Sequence, residues 1–301
     1  MTPRPREPDA SLHQPVLLRE ALRWLELAPG MTVVDGTVGA AGHARKICEK
    51  IGAEGTLIGL DRDPLMLAHA ARFVNGPNRH LRQSSYAELP TVLAELGIDS
   101  VDRVLLDLGL SSDQLADEAR GFSYESTGPL DLRFDTSRGK PAWRILEEAD
   151  ERELADMFRE YGEERFAGPI ARAIVARRGH ALVRSAADLA GTVAAALPGH
   201  VRAESRRHPA TRVFQALRIA ANSELEQLRL ALDHALPGSL RAGGRAVVIS
   251  FHSLEDRLVK NAFRDKERWQ NLTPKPIAAS TAERKLNPRS RSAKLRAATK
   301  R

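Results

Sequence analysis

A short apolar strand, Met31-Thr32-Val33-Val34-Asp35, runs directly into Gly36-Thr37-Val38-Gly39-Ala40-Ala41-Gly42-His43 and from there into a helical pattern. That succession is the signature of an open α/β sheet, in which ligands bind beyond the carboxyl ends of the strands and glycine lets the backbone approach them closely. The rest of the first third keeps the same plan. Strands are expected at residues 31–35, 56–61, 79–83 and 101–107, with helical periodicity over 43–53, 64–74 and 87–97 between them, so that four βα units follow one another. Ahead of them Leu18, Leu22 and Leu25 fall at i, i+4 and i+7, an amphipathic helix over 14–27 stopped by Pro29-Gly30.

The glycines are spaced G-x-x-G-x-x-G at Gly36, Gly39 and Gly42. This differs from the dinucleotide fingerprint G-x-G-x-x-G and lacks the Gly-Lys-Ser/Thr ending of a phosphate loop, which disfavours ATP hydrolysis. Asp61 ends the second strand 19 residues beyond Gly42, where an acid accepts hydrogen bonds from ribose hydroxyls. Nicotinamide dinucleotides and S-adenosylmethionine both carry an adenosine that suits this arrangement. Asp35 favours the second, because an acid beside the loop attracts a cationic amino group and sulfonium and repels a pyrophosphate. On residues alone two further classes stay open, a nicotinamide-dependent oxidoreductase and a non-catalytic RNA-binding protein on the same scaffold. The glycine spacing and Asp35 count against the first, and the intact loop with Asp61 against the second.

After Asp107 the chain becomes rich in Gly, Ser and charge and loses any apolar period, as in a long loop. Helical patterns then cover 150–160, 163–178, 185–197 (with Ser185 as N-cap) and 211–236, and the α/β character returns with a strand at 245–251 and a helix that Ser253 would cap. The reading is one Rossmann-like domain over 13–113 and 213–301, interrupted by a mostly helical insertion at 114–212 and preceded by a flexible arm, 1–12. Of the net charge of +7, all resides in residues 281–301, with eight basic side chains against Glu283. A disordered basic tail that binds RNA by counterion release is therefore expected, and its removal should lower RNA affinity; packing against the sheet would show instead as lost stability. A single cysteine, Cys48, excludes a disulfide framework and a multi-cysteine zinc site, and no convincing metal-ligand spacing occurs. With no apolar run long enough to span a membrane and no secretory h-region, a cytoplasmic location without membrane partners is expected.

The fourth strand ends in Asp107-Leu108-Gly109-Leu110-Ser111-Ser112, which in a Rossmann-like methyltransferase faces the transferred methyl group. Phe122, Tyr124 and Phe134 in the following loop are candidates to stack on a base, with core packing as the competing reading for each. Arg212, Gln215 and Arg218 recur at i, i+3 and i+6 on one helix face that suits either RNA or a salt-bridged surface. Arg289 and Arg291 in the tail, Arg133 in the loop and His252 after the fifth strand complete the candidate RNA contacts, and a structural hydrogen-bonding role is the competing reading for His252.

Across residues 13 to 298 the chain resembles the RsmH (MraW) family of bacterial 16S rRNA cytosine-N4 methyltransferases. The resemblance rests, in order, on HQPVLLREAL, VVDGTVGAAGHA, LIGLDRDP, VLLDLGLSSDQL, RGFSYESTGPLDLRFD, YGEERFAGPIARAIV, HPATRVFQALRIAANSEL, VISFHSLEDRLVK and NPRSRSAKLR. It implies a Rossmann-like class I S-adenosylmethionine-dependent methyltransferase domain with an inserted helical substrate-recognition domain. It implies also that Ala41, Gly42 and His43 hold the methionine part of the cofactor, Asp61 the ribose and Tyr86 the adenine, with Asp107 and Gln114 completing the pocket. The family usually has Gly-Gly before the His, so Ala41 departs from the pattern, and Tyr86 stands where Phe is common. The implied substrate is 16S rRNA within the assembled 30S subunit. Cytosine N4 is a weak nucleophile, and its amine protons need an acceptor, for which Asp107 or the backbone of Leu108 and Gly109 are the candidates.

Overall fold

The computed structural model describes residues 15–199 and 208–301; the expected arm, 1–12, lies outside them. The described residues divide into two compact units, one formed by residues up to 113 together with 228–301, the other by residues between 114 and 227.

The first unit is built on an eight-stranded sheet. In chain order its strands are β1 (Thr32–Asp35), β2 (Thr56–Asp61), β3 (Arg79–Gln83), β4 (Val101–Asp107), β5 (Leu240–Ser250), β6 (Trp269–Asn271), β7 (Ile277–Ala278) and β8 (Lys294–Lys300). The spatial order is β3-β2-β1-β4-β5-β8-β6, with β7 also on β8. The first five are parallel, and β8 is antiparallel to β5, β6 and β7. The 3-2-1-4-5 portion is the Rossmann order, whose direction reverses at β1 and opens a crevice beyond the strand ends there. Its inner parallel strands, β1, β2 and β4, read as apolar runs because both faces are covered, whereas the edge strand β3 is polar and half-exposed. Val33, Leu57, Leu105 and Val247 pack on one side with Ala21 and Leu25 of α1 (Leu18–Leu25) and Ala44, Ile47 and Ile51 of α2 (Gly42–Ile51). Val34, Ile58, Leu106 and Val248 pack on the other with Leu232, Leu236 and Phe263. Between β2 and β3, α3 (Pro64–Ala70) starts where the Asp63 side chain accepts from the Leu65 N–H, and α4 (Leu89–Leu96) precedes β4.

The basic tail is not a tail. β8 lies between β5 and β6, Leu295 and Ala297 are fully buried on one sheet face, and Arg296, 4% exposed, is buried with a partner: its Nε donates to Asp256 at 2.6 Å. Upstream, the helix Thr281–Leu286 is capped by Ser280, and Glu283 accepts from the Leu17 N–H at 2.7 Å. Counting charge obscured a strand whose inward positions are Leu and Ala.

The expected long helix, 211–236, is also divided. Thr211–Asn222 ends at Ser223, in left-handed conformation at φ 50°, and is followed by Glu224–Leu230, a π-helical turn over Ala231–Ala235 and the short helix Leu236–Ser239. One apolar stripe serves two cores. Leu228, Leu232 and Leu236 belong to the sheet's core, whereas Val213, Ala216 and Leu217 are buried in the helical unit, where Thr211–Asn222 packs on Glu151–Gly162. The close approach needs Gly162, because a Cβ there would come within 2.6 Å of the Arg212 carbonyl oxygen. Residues 213–227 consequently group with the helical unit, past the break placed at 212 by composition.

That unit contains the helices Ala142–Glu148, Glu151–Gly162, Ala167–Arg177, Ala186–Ala196 and Thr211–Asn222. Asp150 and Glu153 form a capping box, and Ser185 accepts from the Asp188 N–H. The loop ahead of them is stitched rather than open. Leu130 N–H donates to Arg184 O, Leu132 N–H to Arg120 O, and Phe134 N–H to Asn222 Oδ1, while Asn222 Nδ2 donates back to Leu132 O.

Candidate functional site

Three carboxylates end three neighbouring strands: Asp35 on β1, Asp61 on β2 and Asp107 on β4. The glycine loop laces these ends together. Gly36 N–H donates to Leu105 O at 2.9 Å and Val38 N–H to Leu60 O at 2.8 Å; Asp107 N–H donates to Thr37 Oγ1 at 2.6 Å and Gly39 N–H to Asp61 Oδ2 at 2.9 Å. Gly36 is required by space, since a Cβ would fall 2.4 Å from Leu106 Cδ2 and 3.0 Å from Tyr86 Cβ. Ala41 is required by conformation to do what glycine does at less cost: it sits buried at φ 66° as the residue that opens α2, a left-handed geometry costing an L-residue roughly 1–2 kcal/mol.

Among the described residues no basic side chain forms a salt bridge with Asp35 or Asp61, and Asp107 has Arg289 nearby. Asp35 Oδ1 accepts the Thr37 N–H at 3.2 Å, but Oδ2 is buried with no partner, and burial pushes the carboxyl up to about 7. Asp61 accepts from Gly39 and Asp63 N–H groups, at 2.9 Å each, and burial still raises it to about 6. Asp107 Oδ1 is likewise buried and unpartnered; burial carries this carboxyl to about 8 against the pull of Arg289, with Asp35 and Glu255 adding repulsion. Its Oδ2 lies 3.5 Å from His43 Nδ1. This contact is not an ion pair, because burial lowers His43 to about 4, and its Nε2, 3.1 Å from the Val16 carbonyl, must carry the ring proton. Nδ1 therefore presents a lone pair to Asp107, and the contact is favourable when Asp107 holds the intervening proton. A pocket with two orphaned carboxylate oxygens, of which only Asp107 has a nearby cation in Arg289, fits a cationic ligand and disfavours a pyrophosphate.

The structure thus brings Asp35, Gly39, Ala41, Gly42, His43, Asp61, Tyr86 and Asp107 to one group of strand ends and their loops. Leu108 follows with its N–H donated to Ile249 O at 2.9 Å, and Gly109 turns at φ 92°, where an added Cβ would meet Phe251 at 3.4 Å. Gln114 is buried in the short helix Ser112–Ala116, the first residue of the second unit. Arg289 donates to Ser112 Oγ at 2.8 Å and lies near enough to Asp107 for the two to stabilise each other's charge. Arg291 is exposed.

His252, not Ser253, caps the helix Ser253–Ala262, in a capping box with Glu255 whose carboxylate also accepts the Phe251 N–H at 2.8 Å. In the helical unit, Arg133 grips Asp131 through two 2.7 Å bonds, Arg218 is held by Glu224 at 2.8 and 2.9 Å, and Gln215 Nε2 donates to Tyr161 O at 2.9 Å. Arg212 remains exposed, with Nη1 on Glu163 O at 3.1 Å. Thr37 and Glu255, which the sequence did not single out, lock the ends of β4 and β5; His252-Ser-Leu-Glu255 does carry the spacing of a capping box, with His in place of Ser. Among the described residues no group of three or more metal-ligating side chains occurs, and no helix is long and apolar enough to cross a membrane.

A family model described as the MraW methylase family matches residues 10–301. The chain is 46% identical over 304 residues to the ribosomal RNA small subunit methyltransferase H of Thiobacillus denitrificans, covering 95% of this chain and 96% of that protein. It is 44% identical over 308 residues to the protein of the same name from Trichlorobacter lovleyi, covering 96% and 98%. Among solved structures, an rRNA methylase from Streptococcus thermophilus aligns at 9% identity and a TM-score of 0.45, over 97% of this chain and 99% of that one.

Proposed function

The chain belongs to the MraW methylase family, and from that premise we propose that it methylates the exocyclic N4 of a cytidine in the decoding region of 16S rRNA, within the assembled 30S subunit and in the cytoplasm. The cofactor is S-adenosylmethionine, which supplies an electrophilic methyl group when bound. The observation that carries the reading is the set of strand-end acids whose Asp35 Oδ2 and Asp107 Oδ1 are buried without partners: such acceptors suit a sulfonium and an ammonium. The name shared by the relatives supports small-subunit rRNA as the substrate, and the family resemblance supports cytosine N4.

In this reading Asp61 takes the ribose hydroxyls with the lone pairs that Gly39 and Asp63 leave, Tyr86 offers its ring to the adenine, and Ala41, Gly42, His43, Gly39 and Gln114 line the remainder. Asp107 stands at the acceptor side. Its Oδ2 is engaged with His43 and its Oδ1 is unpartnered, so Oδ1 is the atom that receives an N4–H and orients the amine lone pair, with the carbonyls of Leu108 and Gly109 as neighbouring acceptors. Alignment of that kind supplies several kcal/mol of barrier reduction. Arg289 and a bound cation beside Asp107 favour its ionised form; once methyl transfer has turned the sulfonium into a neutral thioether, the amine proton would pass to Asp107 Oδ1. No strong base is needed.

The test is to incubate the protein with S-adenosylmethionine and 30S subunits from cells lacking the modification, digest the rRNA and identify methylated nucleosides by mass spectrometry. N4-methylcytidine formed by the wild type and lost with Asp61→Ala is the expected result. A different methylated nucleoside would overturn the target atom, and cofactor binding without any rRNA methylation would move the substrate elsewhere.

A further inference from the structure

Three aromatic side chains in the loop after β4 are candidates to stack on a base, and the structure separates them. Phe122 and Phe134 stack on each other with centroids 5.9 Å apart, Phe122 is 5% exposed, and the Arg120 guanidinium lies 5.4 Å from its ring centre. They are packing residues. Tyr124 is 38% exposed, yet its ring is held flat on that of His208, with centroids 4.1 Å apart and planes within 8°.

Both rings are carried by fixed backbone. Ser126 N–H donates to Ser123 O at 3.1 Å, Glu125 N–H donates to Ser123 Oγ at 3.2 Å, and Ser126 Oγ donates to Glu118 O at 3.0 Å. Gly128 lies so close that a Cβ would come within 1.9 Å of the Glu118 carbonyl oxygen. On the other side, His208 Nδ1 accepts the Ala210 N–H at 3.2 Å, which leaves the proton of the neutral ring on Nε2, and its carbonyl accepts from Thr211 Oγ1 at 2.7 Å. Since His208 covers one face of Tyr124, the solvent exposure of the tyrosine belongs to its opposite face and edges. Four residues further along, the exposed Arg212 keeps guanidinium N–H groups beyond the single bond to Glu163 O.

A flat, preorganised aromatic face, with an available guanidinium four residues along the chain from His208, suits a nucleobase with its phosphate. Base stacking on such a ring tolerates any base and requires it to be unpaired. Resting on the rRNA reading above, we propose that the Tyr124–His208 pair is a stacking platform for an unpaired base of the RNA substrate, with Arg212 meeting the adjacent phosphate.

The experiment uses the full chain and a short single-stranded oligoribonucleotide containing 2-aminopurine, whose fluorescence is quenched on stacking, with 16S rRNA as competitor. The wild type should bind and quench it. Tyr124→Ala should weaken binding about 5- to 100-fold and abolish the quench, the range expected for one lost base–aromatic stack, while Tyr124→Phe, which keeps the ring, should remain within about twofold of the wild type. S-adenosylmethionine affinity and the circular dichroism spectrum should be unchanged in both variants. Undiminished quenching by Tyr124→Ala, or equal loss in Tyr124→Phe, overturns the platform while leaving the rRNA reading intact. If Tyr124→Ala keeps its oligonucleotide affinity but loses 30S association, the surface recognises a protein ring and the platform is again overturned. A wild type that binds the cofactor but neither RNA probe overturns the rRNA reading and the platform together.

Discussion

Asp35 and Asp107 at the strand ends and Arg296 of the C-terminal segment are all largely buried, but they are treated in opposite ways. Asp35 and Asp107 each keep an oxygen without a partner, and burial drives both carboxyls toward or above neutrality. Arg296 and Lys294 close on Asp256 at 2.6 and 3.2 Å, and although burial alone would raise that carboxyl, their hydrogen bonds hold it below the usual carboxylate range. The helical unit follows the second pattern, with Arg218 on Glu224 at 15% and 9% exposure. Buried charges with partners belong to the fold, because removing one member strands the other. Buried acids without partners lower the stability of the ligand-free protein and are retained where a ligand completes them.

The comparison can be broken most severely at the C-terminal segment. Removing residues 284–301 takes β8 from between β5 and β6 and leaves Asp256 without its cations, so the cooperative thermal transition should disappear. A truncated protein that melts at the wild-type temperature would show the segment to be dispensable after all. Next in size, Glu224→Gln should cost about 1–3 kcal/mol in urea denaturation by removing the carboxylate charge that faces the largely buried Arg218, with S-adenosylmethionine affinity unchanged; a loss below about 0.5 kcal/mol would place this pair with exposed ones.

The unpartnered acids should respond with the opposite sign. Asp35→Asn removes an uncompensated buried charge and should stabilise the ligand-free protein at pH 8 by about 1–2 kcal/mol, while calorimetry should find S-adenosylmethionine bound at least about tenfold more weakly, one charge-assisted contact being lost. Loss of stability together with undiminished affinity would make Asp35 a structural residue.

A pH series sharpens the same point. Carboxyls raised to about 7 and 8 in the folded state, against an unfolded value near 3.8, bind more protons folded than unfolded. Their effect is a stability that falls as pH rises from about 4 to 8. His43, lowered to about 4 from 6.5, works the other way and only below 6.5. Between pH 6.5 and 8 the ligand-free protein should therefore lose about 2 kcal/mol while affinity for the cationic cofactor rises several-fold; a flat profile in both would mean that these acids titrate normally. The smallest effect is expected at Ala41. Replacing it by glycine relieves left-handed strain of roughly 1–2 kcal/mol, but returns about 0.4–1 kcal/mol of unfolded-state entropy and loses about 0.8 kcal/mol of methyl burial, so Ala41→Gly should change stability by less than about 1 kcal/mol in a urea titration.

Much of the α/β unit was legible because its signals are local. Val33 and Val34 run into Asp35, and Leu57 to Leu60 into Asp61, as apolar runs bounded by an acid and a turn, so strands β1 to β4 and the glycine loop could be placed from neighbours in the chain. The helix started by Ser185 was legible for the same reason, since a cap and the turn it closes lie within three residues. The C-terminal segment was not. Lys294-Leu-Arg-Ala-Ala-Thr-Lys300 has too little apolar content to announce an interior strand, and its burial depends on Asp256 and on the edges of β5 and β6, which no composition window contains. The helix 211–236 failed in the same manner: its periodicity is real, but Ser223 divides the stripe between two cores.

For the candidate site, residue types and spacing determined which strand ends carry acids and that a glycine-lined loop follows the first of them. Tertiary structure alone decided that Asp35 Oδ2 and Asp107 Oδ1 go unpartnered while Arg296 Nε meets Asp256, and that of three loop aromatics Tyr124 is the exposed one. The physical reason is that a strand, a cap or a turn is written within a few residues, whereas the protonation of a buried acid and the pairing of a buried arginine depend on desolvation and on partners distant in the chain, as Arg296 and Asp256, 40 residues apart, and Arg289 and Ser112, 177 apart, show.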